Sequence, residues 1–329
     1  MASGGITPAA AEAGLEALRS GWLTMGPRTE ALEAALAERL GAEHVVAVSS
    51  GTAALHLSCL ALGAGPGSEV VIPALGPRSC AGAAAAAGAR AVPHDIAGID
   101  PDPDLVLATI GEATGAVLAR HPLGYPADLG ALAEACAARG VALIEDCREA
   151  IGATGRGEAL GRAGTVALLS FSSSRQLPSN EGGAVVTDDE EIAGKVRSLR
   201  SHAMTSGTWD RHRGHAETYD VIGVGFNYRI DEVRAAIAHA GLEGLDARVE
   251  ELRERATVLE ELGELAPGAL IEGSSPLAVP LVAEEPSGVE ALEAAVVEAG
   301  ARAERVEVRG DGELPEARAL AARILLAWL

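Results

Sequence analysis

Lysine is almost missing from this chain: Lys195 stands alone against 25 arginines in 329 residues. Any chemistry that needs an amine nucleophile therefore has one candidate. Aromatic residues make up only 2%, so the core is expected to be built from Leu, Val, Ile and Ala. Excess positive charge is also lacking, the formal net charge being −21. That excludes a concentrated basic surface for nucleic acid or an anionic membrane. The acidic residues are scattered along helical stretches and read as a solvated exterior. The four cysteines, Cys59, Cys80, Cys136 and Cys147, form no CxxC pair. No zinc site or other metal site is expected from that spacing, and a reduced, cytoplasmic protein is. The N-terminus has no basic stretch followed by an apolar run, so no signal peptide is read there. The longest small-residue run, "CAGAAAAAGARAV", is too short to span a bilayer.

What is present is 48% hydrophobic and 22% charged, enough for a large soluble domain and a smaller one. Strand and helix patterns alternate. "PRTEALEAALAERLG" reads as an amphipathic helix, with Leu32, Leu36 and Leu40 on one stripe. "HVVAVSS", "EVVIPA", "RAVPHDI", "GAVLARHP", "VALIEDC", "TVALLSFS" and "GGAVVTD" read as strands. Helical patterns separate most of them. Alternation of near-continuous apolar strands with helices predicts an α/β fold with a mostly parallel sheet covered on both faces. Residues 1–230, with the N-terminal helix, are expected to form this large domain. From Asp231 one long helical segment is expected, with apolar residues at three–four spacing from Leu242 to Leu262. A small α+β unit completes residues 231–329. It is read as strand "PLAVPLVA", helix "SGVEALEAAVVEAG", strand "RAERVEV" and a closing helix "ELPEARALAARILLAWL".

Ligands of such sheets bind beyond the carboxyl ends of the strands. Three groups of residues fall there: Ser49-Ser50-Gly51-Thr52, Asp146, and Ser170 onward. "VSSGTAAL" is a strand, a glycine turn and a helix start, where backbone N–H groups suit a phosphate or a plain N-cap. "LIEDC" ends a buried strand with Glu145 and Asp146. A carboxylate in that place suits a protonated heterocycle nitrogen, or a cap or salt bridge. The order "GWLTMGP", "SSGTAAL", "IED", "SF…EGGAVVT", "SHAMTSGTWDRHRGHAETYDV", "GFNYRIDEVRAAI" resembles the DegT/DnrJ/EryC1/StrS family. These are sugar aminotransferases of pyridoxal phosphate (PLP) fold type I. The resemblance runs from about residue 5 to about residue 262, and the C-terminal part looks short for the family.

The resemblance implies a homodimer with active sites at the interface, and transfer of an amino group from glutamate to a nucleotide-linked keto-sugar. It implies that Gly51 and Thr52 form the phosphate-binding turn and that Asp146 pairs with the pyridine nitrogen. Ser170 would lie near the phosphate, and Asn227 and Arg229 would reach into the neighbouring subunit's site. His212 and His215 belong to a loop of the family pattern rather than to a metal centre.

The family pattern S-F-x-x-x-K-x-L-x-x-G-E-G-G fits here without a gap, from Ser170-Phe171 to Glu181-Gly182-Gly183. It places Arg175 at the Schiff-base lysine and Asn180 at a glycine. A guanidinium stays protonated and is neither nucleophile nor base near neutrality. The stacking aromatic is replaced by Gly76-Pro77, and the usual Gln or His by Glu149. The expectation is a pocket without covalently bound PLP. PLP or its amine form, PMP, would be held at most non-covalently, and Arg175 would pair with Glu149 or Asp146. Function is expected in a sugar or secondary-metabolite pathway. The chain would act as a PLP-independent binder of a sugar or anion, or as an inert subunit paired with an active paralogue. The alternative is a conventional PLP-dependent sugar aminotransferase.

Overall fold

The computed structural model describes residues 5–155, 157–206, 212–214, 218–270, 272–306, 308 and 314–329. In chain order the first strands are β1 (His44–Val48), β2 (Glu69–Pro73), β3 (Arg90–His94), β4 (Thr114–Arg120) and β5 (Ala142–Asp146). A two-stranded hairpin follows, β6 (Thr154–Gly155) and β7 (Glu158–Ala159), then β8 (Val166–Ser170) and β9 (Gly183–Thr187). Seven of these form the central sheet, in the order β1-β9-β8-β5-β4-β2-β3. Pairing from β8 through to β3 is parallel, and β9 runs antiparallel to both neighbours. The mostly parallel α/β expectation is thus met. All five residues of β8 and of β9 are buried, as strands covered on both faces must be.

The covering helices are α1 (Pro8–Ser20), α2 (Pro27–Leu40), α3 (Gly51–Ala61), α4 (Ser79–Ala86), α5 (Pro103–Thr109), α6 (Gly130–Ala137) and α7 (Glu190–Arg200). α3, α4 and α7 bury one sheet face with an aliphatic and alanine core that includes Ala54, Leu55, Leu57 and Val196. Leu32 and Leu36 of α2 join Phe171 and Ile230 on the other face. Neither α5 nor the β6–β7 hairpin was legible as an element, since both are too short to show a period.

The single long helix expected from Asp231 is broken. α8 (Glu232–Gly241) ends in a 3-10 turn at Leu242–Gly244, and α9 (Leu245–Glu260) follows. Gly241 and Gly244 bracket the turn, and glycine is a weak helix former. The break lets α8 pack on α1 and α2 while Leu252, Ala256 and Leu259 of α9 join the C-terminal core.

That core lies under a second sheet of β10 (Glu264–Leu265), β11 (Ala278–Val282), β12 (Arg302–Arg305) and β13 (Ile324–Trp328), ordered β10-β11-β13-β12. Helices α10 (Val289–Glu298) and α11 (Pro315–Ala321) complete this part. The closing helix is a correction: α11 stops at Ala321, and "ILLAW" is strand β13, inserted between β11 and β12. A short all-apolar run satisfies either period, and only pairing partners on both sides decide it.

Candidate functional site

Four chain segments converge at one edge of the central sheet. β1 ends at Val48 and the chain turns into α3, whose N-cap Ser50 accepts a hydrogen bond from the Ala53 N–H at 3.0 Å. β4 ends at Arg120, β5 at Asp146 and β8 at Ser170. Together they line a cavity of about 190 Å³. Gly51, Thr52, Asp146, Glu149, Ser170 and Arg175 all border it. Six of the eight residues singled out in the sequence are therefore brought together. Gly51 is required by close approach: a Cβ there would lie 2.9 Å from Arg148 Cδ and 2.9 Å from Ser170 Cβ.

Two arginines dominate the cavity, and neither was singled out in the sequence. Arg148 grips Asp146 with both prongs of its guanidinium, Nε to Oδ1 at 2.7 Å and Nη2 to Oδ2 at 2.7 Å. Its backbone N–H adds a bond to Oδ1 at 3.1 Å. Arg120 Nε donates to Asp146 Oδ2 at 3.2 Å and its Nη2 to Glu149 Oε2 at 2.8 Å. The Leu123 N–H also donates to Glu149, at 2.9 Å. Arg175 Nη2 lies 3.3 Å from Glu149 Oε1. Among the described residues Arg175 forms no ion pair with Asp146, so the Glu149 alternative is the one observed. Arg120 also stands where a side chain at residue 76 would project, 3.1 Å from a Cβ built on Gly76.

Each buried carboxylate of the cavity is held by arginine contact. Burial alone would raise the carboxyl pKa of Asp146, but Arg148, followed by Arg120, overrides it and holds the group below the usual range. Burial likewise opposes ionisation of Glu149, and the charges of Arg120 and Arg175 outweigh it, so that carboxyl is lowered too. Arg148 is pushed further up by Asp146 against its own desolvation. The signal for these two arginines was present in the sequence. One ends an apolar strand, and the other follows the "ED" pair by two residues.

Glu145 does not join Asp146. Side chains alternate along a strand, and Glu145 faces away. It accepts from the N–H groups of Gly161 and Ala163 at 2.7 Å each and of Gly164 at 3.1 Å. It also lies 3.0 Å from His121 Nε2. The Ala127 N–H donates to His121 Nδ1 at 2.9 Å, which assigns the proton to Nε2. The buried cluster of His121, Glu145 and Cys147 is thus occupied by its own hydrogen bonds. Cys147 belongs to this cluster, with Sγ 3.6 Å from Glu145 Oε1. Cys80 does border the site: Arg148 Nη2 donates to its Sγ at 3.3 Å.

Asn227 and Arg229 do not border this cavity. Asn227 is exposed and pairs by an isolated antiparallel bridge with Ser201. Burial and the nearby Arg200 lower the Arg229 pKa. Lys195 is on a solvated face, bonded to Glu191 at 2.7 Å. Asn180, at the position read as a glycine, adopts φ +76°, a left-handed conformation that asparagine tolerates. His212 packs on Trp22 at a ring-centroid distance of 4.5 Å, and His215 lies outside the described residues. No helix among the described residues is long and apolar enough to cross a membrane.

The seven-stranded sheet with α3 opening beside β1, and a smaller antiparallel unit behind it, defines a PLP fold type I, aminotransferase-like protein. The DegT/DnrJ/EryC1/StrS aminotransferase family pattern matches residues 6–276, and the chain belongs to that family. The aminotransferase TlmJ from Streptoalloteichus hindustanus is 32% identical, with a TM-score of 0.85 over 98% of this chain and 91% of its own. The sugar aminotransferase CalS13 from Micromonospora echinospora is 29% identical, with a TM-score of 0.84 over 98% of this chain and 92% of its own. NtdA from Bacillus subtilis, solved with bound PMP, is 23% identical, with a TM-score of 0.84 over 98% of this chain and 78% of its own. At that identity it speaks for the fold alone.

Proposed function

We propose that this chain is a family member that does not carry out standard transamination, in a sugar or secondary-metabolite pathway. Its pocket serves a PLP-independent purpose, or the chain is an inert subunit of a heterodimer with an active paralogue. A homodimer suits the first role. One observation carries this reading: the Asp146 carboxylate is already taken. Arg148 engages both of its oxygens and Arg120 adds a further bond. A pyridinium nitrogen would have to displace a bidentate, charge-assisted pair. Arg148 also lies against Gly51, at the helix start where a phosphate would approach. As they stand, the residues do not fit the PLP ring, and no step is routed through it.

Arg175 supports the same reading. Aligned on Ser170-Phe171 and Glu181-Gly182-Gly183, it stands in the register of the Schiff-base lysine. Its guanidinium offers a fixed positive charge to Glu149 and no nucleophile. Three arginines around two carboxylates, beside the N-terminus of α3, suit the holding of an oxyanion better than amine chemistry. The conventional reading, a PLP-dependent aminotransferase of a nucleotide-linked keto-sugar, is favoured by the family match over residues 6–276. The two readings separate on incubation with PLP, borohydride reduction and peptide mass spectrometry. We expect no pyridoxyl adduct in the wild type. Arg175→Lys alone leaves Arg148 in place and gives little adduct, whereas Arg175→Lys with Arg148→Ala gives it at residue 175. A wild-type adduct at any residue, Lys195 included, together with turnover of an amino donor, overturns the proposal.

A further inference from the structure

A second cavity, of about 1290 Å³, adjoins the ionic one, and Pro77, Arg120 and Glu149 line both. It lies between the β2–β3 edge of the central sheet and the C-terminal sheet. Its walls are largely apolar and include Ile72, Leu75 and Ile96 from the large unit and Leu314, Leu326 and Trp328 from the C-terminal part. The charged groups that line it are four arginines and two glutamates, a positive excess on a chain of net charge −21. Arg90 and Arg305 are spoken for by Glu69 and Glu293. Arg78 is exposed at residue 78 of the lining and pairs with no carboxylate among the described residues. The buried Nε1 of Trp328 meets no hydrogen-bond acceptor.

A polyhydroxylated ligand would leave most of its hydroxyls unpaired against such walls. An apolar body with one anionic head is complementary to both the walls and the free guanidinium. We propose that this cavity binds an amphiphilic carboxylic acid, its alkyl or aryl body against Ile96, Leu326 and Trp328 and its carboxylate at Arg78. The inference goes beyond the proposed function and does not depend on it, because nothing in it requires PLP to be bound or excluded.

Trp328 supplies the readout. With Trp22→Phe and Trp209→Phe it is the last of three tryptophans. Titration with 6-phenylhexanoate is expected to change its emission saturably and to raise the melting temperature. Arg78→Ala, an exposed change, is expected to weaken binding about tenfold, and 6-phenylhexanamide to bind about tenfold more weakly than the acid. Ala74→Phe, which adds volume at the cavity wall, is expected to abolish the response while the melting temperature shows a folded protein. An unsaturable response, a response that survives Ala74→Phe, or UDP-glucose binding more tightly than the acid overturns the proposal. None of these outcomes depends on the borohydride experiment, so the two can fail separately.

Discussion

Replacing Arg148 by alanine removes the bidentate partner of a carboxylate that is 2% exposed. Asp146 then keeps the backbone N–H of residue 148, at 3.1 Å, and Arg120 Nε, at 3.2 Å. Breaking a buried pair from one side costs about 3–5 kcal/mol, because the remaining charge is left in low dielectric. Arg120 stays in place, so the lower end, about 3 kcal/mol, is expected at pH 7. The pH dependence is the sharper test. In the wild type the folded pKa of Asp146 lies below its unfolded value of about 3.9. Its ionisation therefore stabilises the fold above about pH 4, and this is lost only as pH falls through the folded value. In Arg148→Ala the opposing effect of burial gains weight and the folded pKa rises. The penalty is then greatest at pH 7 and shrinks toward pH 4, where the variant protonates Asp146 more readily. Thermal melting at the two pH values reads the difference, with a fall on the order of 6 °C or more at pH 7. A fall equivalent to less than about 1 kcal/mol, or one of equal size at both pH values, refutes the electrostatic account.

Three further perturbations are informative. Glu232, fully buried, accepts bonds from the N–H groups of Gly26, Arg28 and Thr29 and from the Thr29 hydroxyl. Glu232→Gln weakens charge-assisted bonds at the start of α2 and should cost about 1.5–3 kcal/mol. An unchanged urea midpoint would count against this. Glu149→Gln leaves the Arg120–Arg175 pair short of one negative charge and should destabilise the chain at pH 7 by a few kcal/mol. Equal midpoints for the two proteins would show that solvent already screens the site. All four thiols are buried, and burial pushes Cys59 up to about 12. Thiol reagents at pH 8 should label none of the four in the folded protein and all of them in urea, and rapid native labelling would show a looser core.

Most of the fold was legible because its strands are apolar runs punctuated by glycine turns, a pattern set locally. That held for β1 and α3 around "VSSGTAAL" and for β5 ending in "LIED". It failed at "ILLAW", where helix and strand patterns are degenerate and β11 and β12 impose the strand. It failed again after Asp231, where two glycines split the expected helix so that its halves could pack on different neighbours. Gly51, Asp146, Ser170, Glu149 and Arg175 all border one cavity because each lies at, or within a few residues beyond, the end of a strand.

Sequence by itself determined the family, the edge of the sheet where the site lies, and the charge at position 175, since these depend on residue identity and register. Only the tertiary structure decided which carboxylate each arginine holds. Residues 120, 148 and 175 come from three separate segments, and an ion pair forms by distance in space, which sequence separation does not encode. That is why Arg175 meets Glu149 and Arg148 closes over Asp146. Strand alternation turned Glu145, one residue earlier, to the opposite face, and the fold set His121 beside it there.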